Sequence, residues 1–236
     1  MMLKLDEVHV HYGLSHVIQG VQIEARPGEV VGIFGRNGVG KTTLLKTIAG
    51  WVTPSGGAIQ LDGKRLDGLP PDQVCRHGVG FVPEDRRIFP GLSVEENLRL
   101  GLMQRAGRSR AEQQAEIDRI YERMPRLAER RRQVATTMSG GEQQMLAMAR
   151  VMVGRPQLVL IDEPSEGLAP MIVADVFAII SEMKAAGAIV LLVEQNVHGA
   201  LDVADRFYVL ERGTVIVRGD AKSETDRAKL IKAIAV

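Results

Sequence analysis

The 236-residue sequence contains one cysteine, Cys75, so no internal disulfide can form. That usage suits a reduced compartment. Aromatic residues make up only 4%, against 45% apolar residues overall, so the core must be largely aliphatic. An excess of charge of either sign is also missing. Lys and Arg total 30 and Asp and Glu 29, a net charge of +1. That lacks the global basic footprint of nucleic-acid binders, and no nucleic-acid partner is expected. Long hydrophobic runs are absent too. The longest unbroken aliphatic stretch, AIVLLV at Ala188–Val193, falls far short of the roughly 18–20 residues that span a bilayer. The opening MMLKLDEVHVHYG puts charges and histidines where a signal peptide needs an apolar core. A chain soluble by itself is expected, with any membrane association made through a partner. There is no internal repeat or low-complexity linker. The length suits one large domain, or one domain with an inserted subdomain.

What is present alternates strand and helix patterns. LKLDEVHVHY and VIQGVQIEA alternate like half-buried strands, and GEVVGIF reads as a buried strand. KTTLLKTIAGW has helical spacing. SGGAIQLDGKRL reads as turn, strand and turn, and HGVGFVPED as a strand ending at Pro83. From Ser93 to Gln133 glycine thins and charge rises, which predicts amphipathic helices in a helical insert. Its Arg-rich end, RLAERRRQ, reads as a solvated face. In the last third QLVLIDEP and AIVLLVEQ are predicted strands, separated by the helix APMIVADVFAIISEMKAAG. NVHGALDVAD is a short helix, RFYVLERGTVIVRG a hairpin turning at Arg212-Gly213, and a polar helical tail follows. Strands separated by helices argue for a parallel α/β sheet.

The chemistry begins at GRNGVGKTT. Gly35-Arg36-Asn37-Gly38-Val39-Gly40-Lys41-Thr42 fits G-x-x-x-x-G-K-[ST] and lies between a buried strand and a helix. Glycines let successive backbone N–H groups turn inward around phosphate oxygens, and the helix start adds partial positive charge. Lys41 supplies a full charge to β- and γ-phosphates, and the Thr42 hydroxyl can ligate Mg²⁺. The acid-terminated strand LVLIDEP supplies Asp162 to hold Mg²⁺, directly or through water. Glu163 follows at the strand end, where it can orient and polarise an attacking water.

Between these motifs lies TMSGGEQQMLAMARVMV. Ser139-Gly140-Gly141 precedes a helical run and forms another anion-cradling helix start. One nucleotide on one subunit does not need two cradles. The pattern resembles the signature motif of ATP-binding-cassette (ABC) proteins, usually written LSGGQ, with Met138 replacing the leading Leu and Glu142 standing before Gln143. The resemblance covers nearly the whole chain. It implies the ABC ATPase fold: an α/β P-loop NTPase core with a mostly parallel sheet, an N-terminal antiparallel β subdomain and a helical insert. It implies one ABC ATPase domain over 1–236. Segments 1–84 and 151–236 would form the RecA-like core with its antiparallel β subdomain, and 85–150 the helical subdomain carrying the signature.

The resemblance also implies roles. ATP and Mg²⁺ are the cofactors. Tyr12 stands where the family stacks an aromatic on adenine. Gly35, Asn37, Gly38, Gly40, Lys41, Thr42 and Thr43 would bind the nucleotide. Ser139, Gly140 and Gly141 would cap the γ-phosphate of a partner subunit. Thr42, Asp162 and Glu84 would serve the metal, and Glu163, Gln195 and Lys41 catalysis. Ser165-Glu166-Gly167-Leu168 occupies the place of the D-loop, which crosses the dimer interface. Glu84 stands where the family usually has the Q-loop glutamine, and Gln195 where it has the switch histidine. A carboxylate at 84 is still a hard oxygen ligand, and an amide at 195 can donate but not titrate. His198 is read as surface.

VPEDRRIFPGLSVEENL, DEPSEGLAP and LLVEQN look like the ATP-binding subunits of branched-chain amino-acid importers. GRNGVGKTTLLKT and SHVIQGV look like the related urea and short-chain amide importers. The implied function is ATP hydrolysis powering solute import, at the cytoplasmic face of the inner membrane. The implied partners are a second ATPase subunit, like or paralogous, integral permease subunits, and indirectly a periplasmic or extracellular solute-binding protein. Glu84 to Glu96 would transmit motion, with Ile88, Phe89 and Leu92 either facing a permease or packing inside the insert. Two rivals stand beside this reading. A soluble ABC ATPase acting on DNA or ribosomes usually carries a coiled coil or two fused cassettes, which this chain lacks. A module that has lost hydrolysis would not need Lys41, Asp162 and Glu163 intact.

Overall fold

The structure is a computed structural model that describes residues 2–103, 107 and 109–234. In chain order its strands are β1 (Leu3–Tyr12), β2 (Ser15–Ala25), β3 (Val30–Phe34), β4 (Gly56–Leu61) and β5 (Lys64–Arg65). They continue with β6 (Val79–Val82), β7 (Leu158–Asp162), β8 (Ile189–Val193), β9 (Arg206–Glu211) and β10 (Thr214–Asp220). The helices are α1 (Lys41–Ile48), α2 (Pro71–Arg76), α3 (Val94–Leu102), α4 (Arg110–Arg123) and α5 (Pro125–Glu129). After a short 3₁₀ turn at Ala135–Thr137 come α6 (Gly140–Met152), α7 (Pro170–Ala185), α8 (Val197–Val203) and α9 (Glu224–Ile234).

The strands make two sheets. An antiparallel one runs β2-β1-β4-β5, and a six-stranded one runs β10-β9-β3-β8-β7-β6. The latter is parallel from β9 to β6, and β10 joins antiparallel to β9. The β9–β10 hairpin turns at Arg212 and Gly213, both with positive φ (46° and 79°), as a right-twisted two-residue turn requires. β3, β7 and β8 are short aliphatic strands buried throughout. That is the pattern of a parallel sheet covered on both faces.

Alternation along those strands divides the core. Val31, Leu158, Leu160, Leu191 and Val193 face α1, α2 and the antiparallel sheet. Val30, Val159, Ile161, Val190 and Leu192 face the cluster built by α3 through α9. The helices expected over 93–133 are α3, α4 and α5. Gln104 and its neighbours at 105, 106 and 108 lie outside the described residues. α3, α4 and α6 each open with a reciprocal cap: Ser93 with Glu96, Ser109 with Glu112, and Ser139 with Glu142. α2 was not expected from the sequence, because six residues show little helical periodicity. Of the three residues proposed to face outward or inward, Ile88 packs against the core, Leu92 is half-buried, and Phe89 is 45% exposed.

α3 lies unusually close to α6. A Cβ on Gly101 would stand 1.9 Å from the Arg150 carbonyl oxygen and 2.7 Å from Val153 Cγ1. Only hydrogen fits there, so Gly101→Ala must separate the helices. The substitution is expected to cost about 1–3 kcal/mol of stability, read as a lower denaturation midpoint in urea. An unchanged midpoint would show that the two helices are not pressed together in solution.

Candidate active site

The register of the parallel sheet assembles the site. Ile33 pairs with Val193, Asp162 with Val193, and Val82 with Ile161. β3, β6, β7 and β8 therefore end at one edge. Gly35–Gly40, Glu84, Glu163 and Gln195 all follow those ends, the place where open α/β sheets bind ligands.

Gly40 caps α1 with φ 107°. A Cβ there would come within 2.7 Å of Ile18 Cδ1 and 3.1 Å of the Val17 carbonyl oxygen. The loop can therefore curl tightly only with glycine at this point. Lys41 begins α1 and is 4% exposed. Its Nζ donates to the carbonyls of Gly35 (2.8 Å) and Arg36 (3.0 Å) and lies 3.8 Å from Glu163 Oε1. Burial lowers its pKa, and Glu163 and Asp162 work in the opposite direction. Thr42 Oγ1 donates to Asp162 Oδ1 at 3.2 Å. Burial pushes the Asp162 carboxyl up to about 6. The hydrogen bond from Thr42 opposes that rise, and the charges of Glu163 and Glu84 add to it.

Glu163 is buried and adopts φ 47°, a left-handed conformation that costs energy for a non-glycine residue. Its N–H donates to the Val193 carbonyl at 2.9 Å. Its Oε2 accepts a short hydrogen bond from Gln195 Nε2. The expected base and the expected switch residue are thus in direct contact.

A cavity of about 290 Å³ opens over these groups. Asn37, Gly38, Gly40, Lys41, Thr42 and Thr43 line one side. Glu84, Glu163, Glu166 and Gln195 line the other. Glu166 had no role of its own in the sequence reading. The turn Glu163–Glu166 brings it in, and oxygens of Glu84, Glu163 and Glu166 come within 4.8 Å of one another. Burial raises the Glu166 pKa, and a hydrogen bond with Glu163 adds to the rise. His198 is exposed on α8 and does not line the cavity.

Other candidates stand apart from the cavity. Tyr12 ends β1, half exposed, outside the lining. Gly35 lies beneath the strand pair, with the Leu210 carbonyl oxygen where its Cβ would be. Ser139, Gly140 and Gly141 open α6 and do not line the cavity either. That helix start already holds an anion from its own chain. Glu142 Oε2 accepts from the Ser139 hydroxyl (2.8 Å) and N–H (3.0 Å), and Arg130 pairs with Oε1 at 2.8 Å. The Ser139 hydroxyl holds the Glu142 carboxyl below its usual range.

Two charged side chains, one buried and one half-buried, take roles that their sequence context does not announce. Glu194, 2% exposed, accepts backbone N–H groups from two loops. Arg150, on α6, donates to the carbonyls of Arg87 (2.7 Å) and Arg86 (3.0 Å) and to Asn97 Oδ1 (3.3 Å). It also lies 5.0 Å from the Phe89 ring centre. Burial lowers its pKa. Neither carries a distinct sequence signal: Glu194 follows a strand end, and Arg150 reads as one more charge on a helix.

Comparison with known proteins identifies the family. The ABC transporter family profile matches residues 18–166. The chain is 44% identical over 216 residues to the high-affinity branched-chain amino acid transport ATP-binding protein BraG of Pseudomonas aeruginosa, covering 92% of this chain and 91% of that one. It is 32% identical to a probable branched-chain amino acid transport ATP-binding protein, LivF, of Archaeoglobus fulgidus, covering 98% and 97%. Among solved structures, an ATP-binding subunit of an ABC transporter superposes with a TM-score of 0.86 at 30% identity, over 100% of this chain and 95% of that one. The chain belongs to the ABC transporter family and is an ATP-hydrolysing cassette of that family.

Proposed function

We propose that this chain powers import of branched-chain amino acids, or of a related small polar solute such as urea or a short-chain amide, as a peripheral subunit at the cytoplasmic face of the inner membrane. The observation that carries the hydrolytic part is the convergence of Lys41, Thr42 and the Glu163–Gln195 pair on one cavity, with Asp162 hydrogen-bonded to Thr42 just outside its lining. The solute class is supported by the relatives, whose names specify branched-chain amino acid transport. Among the described residues no helix is long and apolar enough to cross a membrane, so integral permease subunits would carry the solute. A second cassette subunit, like or paralogous, and indirectly a solute-binding protein complete the assembly.

The residues present fit ATP with Mg²⁺. Gly38 lines the cavity with open space where a Cβ would stand, and Thr42 and Asp162 offer hard oxygens side by side. Thr42, Asp162 and Glu84 would hold the cation, which when bound neutralises phosphate charge. Lys41, now satisfied by carbonyls and Glu163, would turn to phosphate oxygens. Tyr12 would pack on adenine. Glu163 would accept the proton of the attacking water, and Gln195 would hold that carboxylate and donate toward the γ-phosphate. Residues 85–150 would move as the helical subdomain against a core formed by 1–84 and 151–236. The exposed Phe89 and half-buried Leu92 would then meet the permease.

Glu163→Gln is expected to keep ATP affinity and lose most turnover, accumulating as an ATP-bound dimer with Mg²⁺ in light scattering. Near-normal turnover would place the base elsewhere.

Ser139, Gly140 and Gly141 are expected to serve a partner's nucleotide. Mixing Lys41→Ala with Ser139→Arg subunits gives heterodimers with one intact composite site. ATPase activity in the mixture should exceed that of either parent. No recovery, with heterodimers demonstrated, would refute the trans arrangement.

Gln195→Ala is expected to lower turnover at saturating ATP more than it lowers ATP affinity, because the contact matters most in the reacting state. Gln195→His should retain substantial activity, and His198→Ala should be near neutral. A crippled His198→Ala beside an intact Gln195→Ala would reverse the assignment.

A further inference from the structure

We propose that Glu194 is a positioning residue for hydrolysis, locking the loop after β7 to the turn after β8 so that Gln195 stays on Glu163. The proposal rests on the reading of Glu163 and Gln195 as the hydrolytic pair.

The geometry is specific. Glu194 is the first residue beyond β8 and is 2% exposed. Its Oε1 accepts the N–H of Ser165, on the loop after β7, at 2.9 Å. Its Oε2 accepts the N–H groups of Gln195 at 2.9 Å and Asn196 at 3.0 Å. One carboxylate thus satisfies three backbone donors from two separate loops. A buried carboxylate stripped of its donors is costly, so the arrangement resists slippage.

What it holds is strained. Glu163, two residues before Ser165, keeps its left-handed backbone only if its surroundings over-determine it. The link from Glu163 N–H to the Val193 carbonyl supplies one constraint, and the Ser165–Glu194 link supplies a second one farther along the same loop. On the other side, Asn196 Oδ1 accepts from Gly199 N–H at 3.1 Å and caps α8. Glu194 therefore orients the start of α8 and the Gln195 backbone together. The Gln195–Glu163 side-chain bond spans the two loops that Glu194 ties. Nothing places Glu194 in the cavity lining, so it acts through these neighbours.

A carboxylate is required because both oxygens accept. In Glu194→Gln the single oxygen is best kept by the two donors of Gln195 and Asn196. The amide nitrogen then faces the Ser165 N–H, donor against donor. The variant is nearly isosteric and cuts the link between the loops while keeping the turn.

Steady-state ATPase rates and calorimetric ATP titration test this on the purified chain, for Glu194→Gln, Gln195→Ala, the double variant and Glu163→Gln. Glu194→Gln is expected to lower kcat about tenfold and leave ATP affinity within about twofold. In the Gln195→Ala background the same substitution should have little further effect, because the group it positions is gone. Hydrogen exchange without nucleotide should show lost protection at residues 164–168 with β8 unchanged. A kcat within about twofold of the parent while Glu163→Gln is inactive would overturn the proposal. So would an equal loss in both backgrounds, or unchanged exchange at 164–168. Near-normal turnover of Glu163→Gln would remove the underlying reading, and this proposal with it.

Discussion

An ammonium group held inside the protein sets the terms for the rest of the site. Lys41 is 4% exposed, and such a charge is costly unless paired and hydrogen-bonded. Two loop carbonyls and the Glu163 carboxylate supply that compensation. Each depends on the sheet beneath. The carbonyls face inward because Gly40 closes the loop over Ile18, and Glu163 is in range because β7 and β8 end level with β3. These partners are weaker than a polyphosphate, which would bring several negative oxygens to the same ammonium. The resting arrangement keeps the lysine desolvated and satisfied without binding it tightly.

Glu163 shares the consequence. It neutralises part of the Lys41 charge, accepts from Gln195, and lies beside Glu84 and Glu166. A cation at Thr42–Asp162 and phosphates at Lys41 would redistribute all of these contacts together. The acids crowd one another, and the ammonium groups of Lys41 and Lys46 offset only part of that crowding. Burial and the neighbouring carboxylates accordingly raise both Asp162 and Glu166.

Much of this was legible in the sequence, because the signals were local. The seven positions from Gly35 to Lys41 specify a loop whose glycines have one geometric use, and an apolar strand ending in two acids specifies its neighbour. The strands of the parallel sheet were legible for the same reason, as short aliphatic runs bounded by turn residues. Glu166 was not, because only the turn after β7 shows that it swings back toward Glu163. Glu194 was not, because its partners are main-chain groups, and backbone donors leave no mark on the side-chain pattern. Arg150 looked like one more charge on an amphipathic helix until its carbonyl partners appeared. Ile88 and Phe89 are adjacent and similar in character, and only packing separates the one laid against the core from the exposed one.

The two ends of α6 make a final connection. At its start Ser139 is engaged with Glu142, and Gly140 lies against the Arg86 guanidinium. Near its end Arg150 grips the carbonyls of Arg86 and Arg87, and Gly101 lets α3 press on the same turn. The segment from Arg86 to Phe89 therefore lies against the start of α6 and is hydrogen-bonded to it near its end. Arg86 and Arg87 both have positive φ (60° and 42°), so that segment has little conformational slack left. Under the proposed function, a pull on Glu84 at the cation site would reach the Arg150 contacts two and three residues on, and would either break them or carry α6 along. The second route moves the Ser139 cradle and the exposed Phe89 surface as one body. The same helix that would offer its N-terminus to a partner's nucleotide would thereby report on the nucleotide held by its own subunit.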